Sequence, residues 1–169
     1  QLEVVDATRF ALTTTYEYDA VGNVVRTIDP RGTDTLRIVN QLDQVVRLRS
    51  RPADPNTPVR YETDTYYDEN DNIVQLDVQN RDETGAVQVN THFTTLHEYD
   101  ILDRCVRTTQ EVAAGQNIVT EFEYDSNSNQ TLVRSAEAVS NRQPTNTVTI
   151  GYDERDLVYQ ELRAAGDPL

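Results

Sequence analysis

The chain has no methionine and no tryptophan, one cysteine, and only six glycines and six prolines in 169 residues. Each scarcity excludes something. A lone thiol, Cys105, permits no internal disulfide, so covalent staples do not hold the fold. Without tryptophan, and with a hydrophobic fraction of 37%, the composition fits thin sheets that share a face better than a thick globular core. No apolar run approaches the roughly 18 residues of a membrane-spanning helix, and no signal-peptide pattern is present. Lysine is also missing. All 15 basic residues are arginine, set against 29 acidic ones for a net charge of −14. Such a balance is shared by salt-adapted proteins and by products of GC-rich genomes. It speaks against a nucleic-acid backbone or direct insertion into an anionic membrane, because both reward basic patches. The absent initiator, and a close on Gly166-Asp167-Pro168-Leu169 that reads as the start of another turn, lead us to expect a fragment of a longer chain.

What is present is a repeat. Tyr18-Asp19-Ala20-Val21-Gly22-Asn23-Val24-Val25-Arg26 returns as Tyr67-Asp68-Glu69-Asn70-Asp71-Asn72-Ile73-Val74-Gln75. It returns again at Tyr99-Asp100, Tyr124-Asp125 and Tyr152-Asp153, and a copy without the tyrosine starts at Val39-Asn40. Starting points at 18, 39, 67, 99, 124 and 152 give spacings of 21, 28, 32, 25 and 28, within the range of supersecondary repeat arrays. Residues 1–169 therefore read as one array.

Before each Tyr-Asp, residues alternate with the period of two that turns one face of a strand toward apolar neighbours. Tyr16 shares a face with Tyr18, Phe122 with Tyr124, Ile150 with Tyr152, and His97 with Tyr99, while Glu17, Glu98 and Glu123 take the other face. Thr, Val and Tyr dominate, as suits a pleated, half-buried surface. After the dipeptide come Asp, Asn, Gly and Ser, which bond to nearby backbone or accept positive φ, and then valines resume. The unit is a β-hairpin, its tyrosines at equivalent and substantially buried sites. Asp29-Pro30-Arg31-Gly32 ends one return strand in a further turn. Arg51 to Pro58 and Ala136 to Thr145 read as longer outer loops. No stretch shows a sustained helical period. The fold class is all-β, an antiparallel hairpin array with helix below roughly 10%.

The repeat resembles the YD repeats of the RHS family, with the pattern Tyr-Asp-x-x-Gly-Arg-Leu, a strand, and Asp-Pro-x-Gly. Tyr18 to Gly32 matches nearly throughout, with Asn23 where arginine is usual; later copies put Asp71, Asp103, Ser128 or Asp156 at the glycine. The resemblance implies a segment of a spiralling β-sheet shell, of the kind that encloses a toxin in bacterial polymorphic toxins and insecticidal toxin complexes, with relatives in teneurin-type adhesion proteins. It implies a non-enzymatic structural role, a secreted or cell-surface location, and as partners the remainder of the same shell and its enclosed effector. Self-association through strand edges follows from excised sheet ends. The alternative is an extracellular adhesion or filament module binding a protein or carbohydrate.

Candidate chemistry is weighed against this architecture. His92, His97 and Cys105 invite a nucleophile and base, yet Cys105 takes the place of Val24, Val45 and Val158, and packing is the simpler reading. The repeated Asp19, Asp68, Asp100, Asp125 and Asp153 have an ordinary job as turn formers, so no catalytic residue is assigned. Asp68, Asn70, Asn72 and Asp125, Asn127, Asn129 alternate oxygen ligands as calcium loops do, but lack the glycine and distal glutamate of an EF-hand. No metal or cofactor is expected. The structural repeat residues are Tyr18, Asp19, Gly22, Tyr67, Asp68, Tyr99, Asp100, Tyr124, Asp125, Tyr152 and Asp153.

Overall fold

The computed structural model describes residues 12–51, 60–82 and 84–164. The strands are β1 (Thr15–Tyr18), β2 (Val24–Ile28), β3 (Asp34–Val39), β4 (Val45–Ser50), β5 (Tyr61–Tyr67), β6 (Ile73–Arg81), β7 (Val87–Tyr99), β8 (Cys105–Ala113), β9 (Gln116–Tyr124), β10 (Gln130–Arg134), β11 (Thr147–Tyr152) and β12 (Val158–Arg163). They form one antiparallel sheet in sequence order. That order is what short hairpin connections produce, since each strand pairs with the one just made. The all-β class and hairpin topology agree with the alternation and turn clusters of the sequence. The one described helix, α1 (Ala136–Val139), lies in the segment expected to be an outer loop. Ser135 holds that loop's base, its Oγ donating to the Asn146 carbonyl at 2.8 Å. Within the other expected loop, residues 52–59 lie outside the described residues.

The chain falls into two compact units. One comprises residues up to Thr65 with Val78–Thr91; the other comprises Tyr66–Asp77 and residues from His92 onward.

In the first unit, register places Glu17 opposite Arg26, Arg47 opposite Asp64, and Arg49 opposite Glu62. Ion pairs therefore share a face: Arg26 to Glu17 at 3.0 Å, Arg49 to Glu62 at 3.1 Å, and Arg47 with Asp64. At the foot of β3, Asp34 is the one buried residue among those described, 3% exposed. Arg60 reaches its carboxylate at 2.7 Å, Arg26 at 3.1 Å and Arg51 at 3.8 Å. The hydrogen bond from Arg60 outweighs burial and holds the Asp34 carboxyl below the ordinary carboxylate value.

In the second unit the same division recurs. Arg107 lies opposite Glu98 and Glu121, while Thr108 faces His97 and Thr120 on the reverse side. Alternation then puts Tyr99, Phe122, Tyr124, Ile150 and Tyr152 on the face away from those charges. Tyr159 lies against Gly151, where a Cβ would sit 2.9 Å from the ring's Cζ. The ring supplies the packing that this glycine lacks.

The expectation of substantially buried tyrosines is corrected. Tyr18 is 59% exposed, and Tyr67, Tyr99, Tyr124 and Tyr152 are half-buried. No hydrophobic side chain among the described residues is fully buried. A sheet one layer thick packs each side chain against lateral neighbours only; full burial needs a second layer.

Candidate functional site

The chemistry of this chain gathers along its turns. In each repeat the aspartate that follows the tyrosine folds its carboxylate back over the turn. Asp125 Oδ1 accepts from the Asn127 and Asn129 amides, both at 2.9 Å, and its own N–H donates to the Asn129 carbonyl at 3.0 Å. Asp19, Asp68, Asp100 and Asp153 do the same for residues two and four positions on. Asn40 does so with its amide oxygen, which explains how the copy without tyrosine keeps its turn. The residue three after the acceptor takes positive φ: Gly22 at 101°, Asp43 at 61°, Asp71 at 67°, Asp103 at 58°, Ser128 at 69° and Asp156 at 59°. An Asp or Ser where the first repeat has Gly22 thus leaves the turn intact, because Asp tolerates the left-handed region better than most residues.

These bonds set the electrostatics. Donation from the Asn23 backbone holds Asp19 below the ordinary carboxylate value, and the Asn129 backbone does so for Asp125. For Asp100 and Asp153 the leading cause is a side-chain bond, from Arg104 and Arg155 respectively. At Asp68 desolvation is the largest single influence and raises the value, but the bonds from the Asn72 side chain and the Asn72 and Asn70 backbones together outweigh it.

Adjacent repeats are joined by two further contacts. The first is a phenol latch: Tyr99 donates to the Ile73 carbonyl at 2.9 Å, Tyr124 to Cys105 at 2.8 Å and Tyr152 to Gln130 at 3.1 Å. Each acceptor opens the return strand of the preceding hairpin. The second is a turn-to-turn ladder. Asn23 Nδ2 donates to Asp43 Oδ1 at 2.7 Å, Asn72 to Asp103 at 2.9 Å, and Asn129 to Asp156 at 2.7 Å. The donor stands four residues after the turn aspartate, and the acceptor is the positive-φ residue of the next turn. Where the donor position is Arg104, the guanidinium reaches the Asp125 carbonyl at 2.9 Å and Ser128 Oγ at 3.5 Å, and stacks over Tyr124 with 4.9 Å to the ring centroid.

The alternating residues singled out for calcium, Asp68, Asn70, Asn72 and Asp125, Asn127, Asn129, are brought together within their turns. Asn70 and Asn72 donate to Asp103, and Asn127 and Asn129 to Asp156. Among the described residues no group of three or more His, Cys, Asp or Glu side chains converges as metal ligands. Cys105 and His97 do meet, Sγ to Nδ1 at 4.0 Å, with Thr108 Oγ1 3.2 Å from the same nitrogen. His92 lies on the other face of β7. The thiol is also 3.5 Å from the Arg107 carbonyl.

The sequence reading missed the ladder and the Asp34 node. It also missed the turn at Asp82, whose Oδ1 accepts from Thr84 and Ala86 at 2.9 Å. A signal was available, since Asp82 to Gly85 repeats the Asp-x-x-Gly spacing of Asp29 to Gly32.

No family model matches the chain, and no curated protein does. Solved structures do. A segment of a Photorhabdus luminescens Tc holotoxin pore carrying a TccC3 mutation superposes with a TM-score of 0.61 at 15% identity, covering 93% of this chain and 8% of that one. A complex of TcdB2, TccC3 and Cdc42 gives 0.60 at 15% identity, with 83% of this chain and 8% of that chain covered. The chain thus spans under a tenth of the length of either of these two chains. The likeness shows the fold: the antiparallel hairpin sheet is shared with segments of these Tc toxin structures.

Proposed function

We propose that this chain is a non-enzymatic wall segment of an RHS-type shell, whose partners are the remainder of the same shell and an effector that the shell encloses or presents. The fold shared with the Tc holotoxin structure over 93% of the chain carries this reading. The two-faced layer supports it. One face carries most of the cross-strand arginine–carboxylate pairs and the other bears tyrosines and β-branched residues left half-exposed, with the Arg163–Glu161 pair on it at β12, as suits a wall between two different environments. Latches and ladder tie hairpin to hairpin, so the segment works by steric exclusion: paired strands satisfy one another's backbone groups and deny passage through the layer. The setting is a secreted or cell-surface protein, and no described helix is long and apolar enough to cross a membrane.

Protease protection of the intact gene product tests this. The expected result is an effector fragment that survives protease while the wall is closed and is digested once acid or denaturant opens it. An effector digested at one rate in both states would overturn the reading.

A further inference from the structure

An open stretch of strand edge lies inside the sheet rather than at either end of it. β9 runs for nine residues, but β10 beside it runs for five. Their pairing stops at Glu121 opposite Arg134, where Ser135 leads the chain away into α1. On its other side β9 stays paired with β8 as far as Gln116 opposite Ala113. Residues 117–120 are therefore held as strand by one neighbour and lack the second. No backbone bond among the described residues joins them to the segment from Ser135 to Asn146.

A helix laid over a strand edge is a common way to keep that edge from pairing. Here α1 stands off instead of sealing it. A cavity of about 360 Å³ separates the two, lined by Asn117, Ile118 and Val119 of β9 and by Ala136, Val139 and Arg142 across from them. Consecutive residues of a strand point to opposite faces, so a cavity that touches three in a row runs along the strand's edge and not over a face. Its volume falls within the range of ligand clefts, roughly 300 to 1,000 Å³. Ile118 is 41% exposed. On the rim, Glu137 accepts a bond from Asn146 Nδ2 at 3.2 Å, whereas the Arg142 guanidinium has no partner among the described residues.

We propose that this groove takes an extended peptide segment of another polypeptide, which adds to β9 as a strand in the line of β10. Residues 117–120 span about 13 Å at roughly 3.3 Å per residue, so about four residues of the partner pair with them. Antiparallel entry continues the direction of β10 and gives bonds perpendicular to the strands. The unpaired edge calls for backbone N–H and C=O groups, the Ile118, Ala136 and Val139 side chains for a β-branched aliphatic residue, and Arg142 for a carboxylate beside it. Strand addition of this kind draws affinity from main-chain bonds and specificity from alternate side chains. A second copy does not suit the groove, since it would present the same edge behind the same helix and two helices would stand between the strands. The site lies within one compact unit and does not depend on the wall reading.

Titration of the isotope-labelled chain with the blocked peptide acetyl-Thr-Val-Thr-Val-Glu-amide, followed by amide NMR shifts, tests the site. Saturable shifts are expected at residues 117–120 and 136–142, with slower hydrogen exchange at alternate residues of 117–120. Two N-methylated forms of the peptide, one blocked on its odd residues and one on its even residues, separate strand pairing from mere apolar contact. One form is expected to bind about tenfold more weakly and the other within about twofold of the parent, because only one set of N–H groups faces β9. Arg142→Ala weakens binding up to about fivefold, and Val139→Trp, which fills the groove, abolishes it. Circular dichroism confirms that both variants keep their β signal. An absence of shifts at residues 117–120 with millimolar peptide overturns the site, and so do two methylated peptides that bind alike.

Discussion

The hydroxyl of Tyr124 donates to the carbonyl of Cys105 at 2.8 Å, across the boundary between two hairpins. Since Tyr99 and Tyr152 repeat the contact, the tyrosine of the dipeptide is a fastener as well as a packing residue. Removing the hydroxyl at 99, 124 or 152 with Tyr→Phe is expected to cost about 1 kcal/mol each. Tyr18→Phe, which breaks no bond to a described residue, leaves the dilute monomer's stability unchanged. Urea titrations at low protein concentration check this, with the midpoint moving and the slope constant.

The ladder predicts a coupled pair. Arg104→Asn removes the ion pair with Asp100, whose oxygen lies 2.7 Å from the guanidinium, and the reach to Asp125 and Ser128, so the melting temperature falls. Adding Ser128→Asp rebuilds the Asn-to-Asp junction found at Asn23–Asp43 and Asn129–Asp156, and part of the loss returns. A double-mutant cycle on thermal melts measures the coupling. Strictly additive effects would show that neighbouring turns ignore each other.

Asp34 balances Arg26, Arg51 and Arg60 at the base of the segment between Arg51 and Arg60. Breaking a fully buried pair costs roughly 3 to 5 kcal/mol. These arginines remain 35%, 36% and 24% exposed, so solvent screening reduces that. We expect Asp34→Ala to cost about 2 kcal/mol, with Asp34→Asn nearly as harmful because an amide cannot balance the charges. Denaturant unfolding reads both.

Acid should loosen the array at a defined place. Asp19, Asp34, Asp68, Asp100, Asp125 and Asp153 all titrate below the ordinary carboxylate value when folded. A carboxyl depressed by folding contributes its full stabilisation above the unfolded value, near 3.9 for aspartate, and loses it as pH falls through the folded one. Melting temperature is therefore expected to be flat from neutral pH to about 5 and to fall progressively below about 4. Asp125→Ala lowers the plateau and shallows the fall, whereas Asp125→Asn retains the turn's acceptor, as Asn40 does.

Strands and repeat turns were legible in the sequence because both are local. Alternation over Thr15–Tyr18 or Gln116–Tyr124 needs no knowledge of partners, and an aspartate followed by Asn, Gly or Ser announces its turn. Burial of the tyrosines was misjudged because it depends on a second layer, which period-two patterning cannot reveal. The Asp34 node escaped notice because it joins residues from β2, β3 and the flanks of residues 52–59, linked only through the register of the sheet. Asn23 and Asp43 looked like ordinary turn residues for the same reason, their bond spanning a whole hairpin.

The most direct measurement of the central claim is an electron cryo-microscopy reconstruction of the intact gene product. The account predicts that residues 12–51, 60–82 and 84–164 continue, strand beside strand, into a larger closed wall, with β1 and β12 each paired to a further hairpin and density for an effector inside. A reconstruction in which these strands stand alone, their outer edges facing solvent and no cavity enclosed, would contradict it.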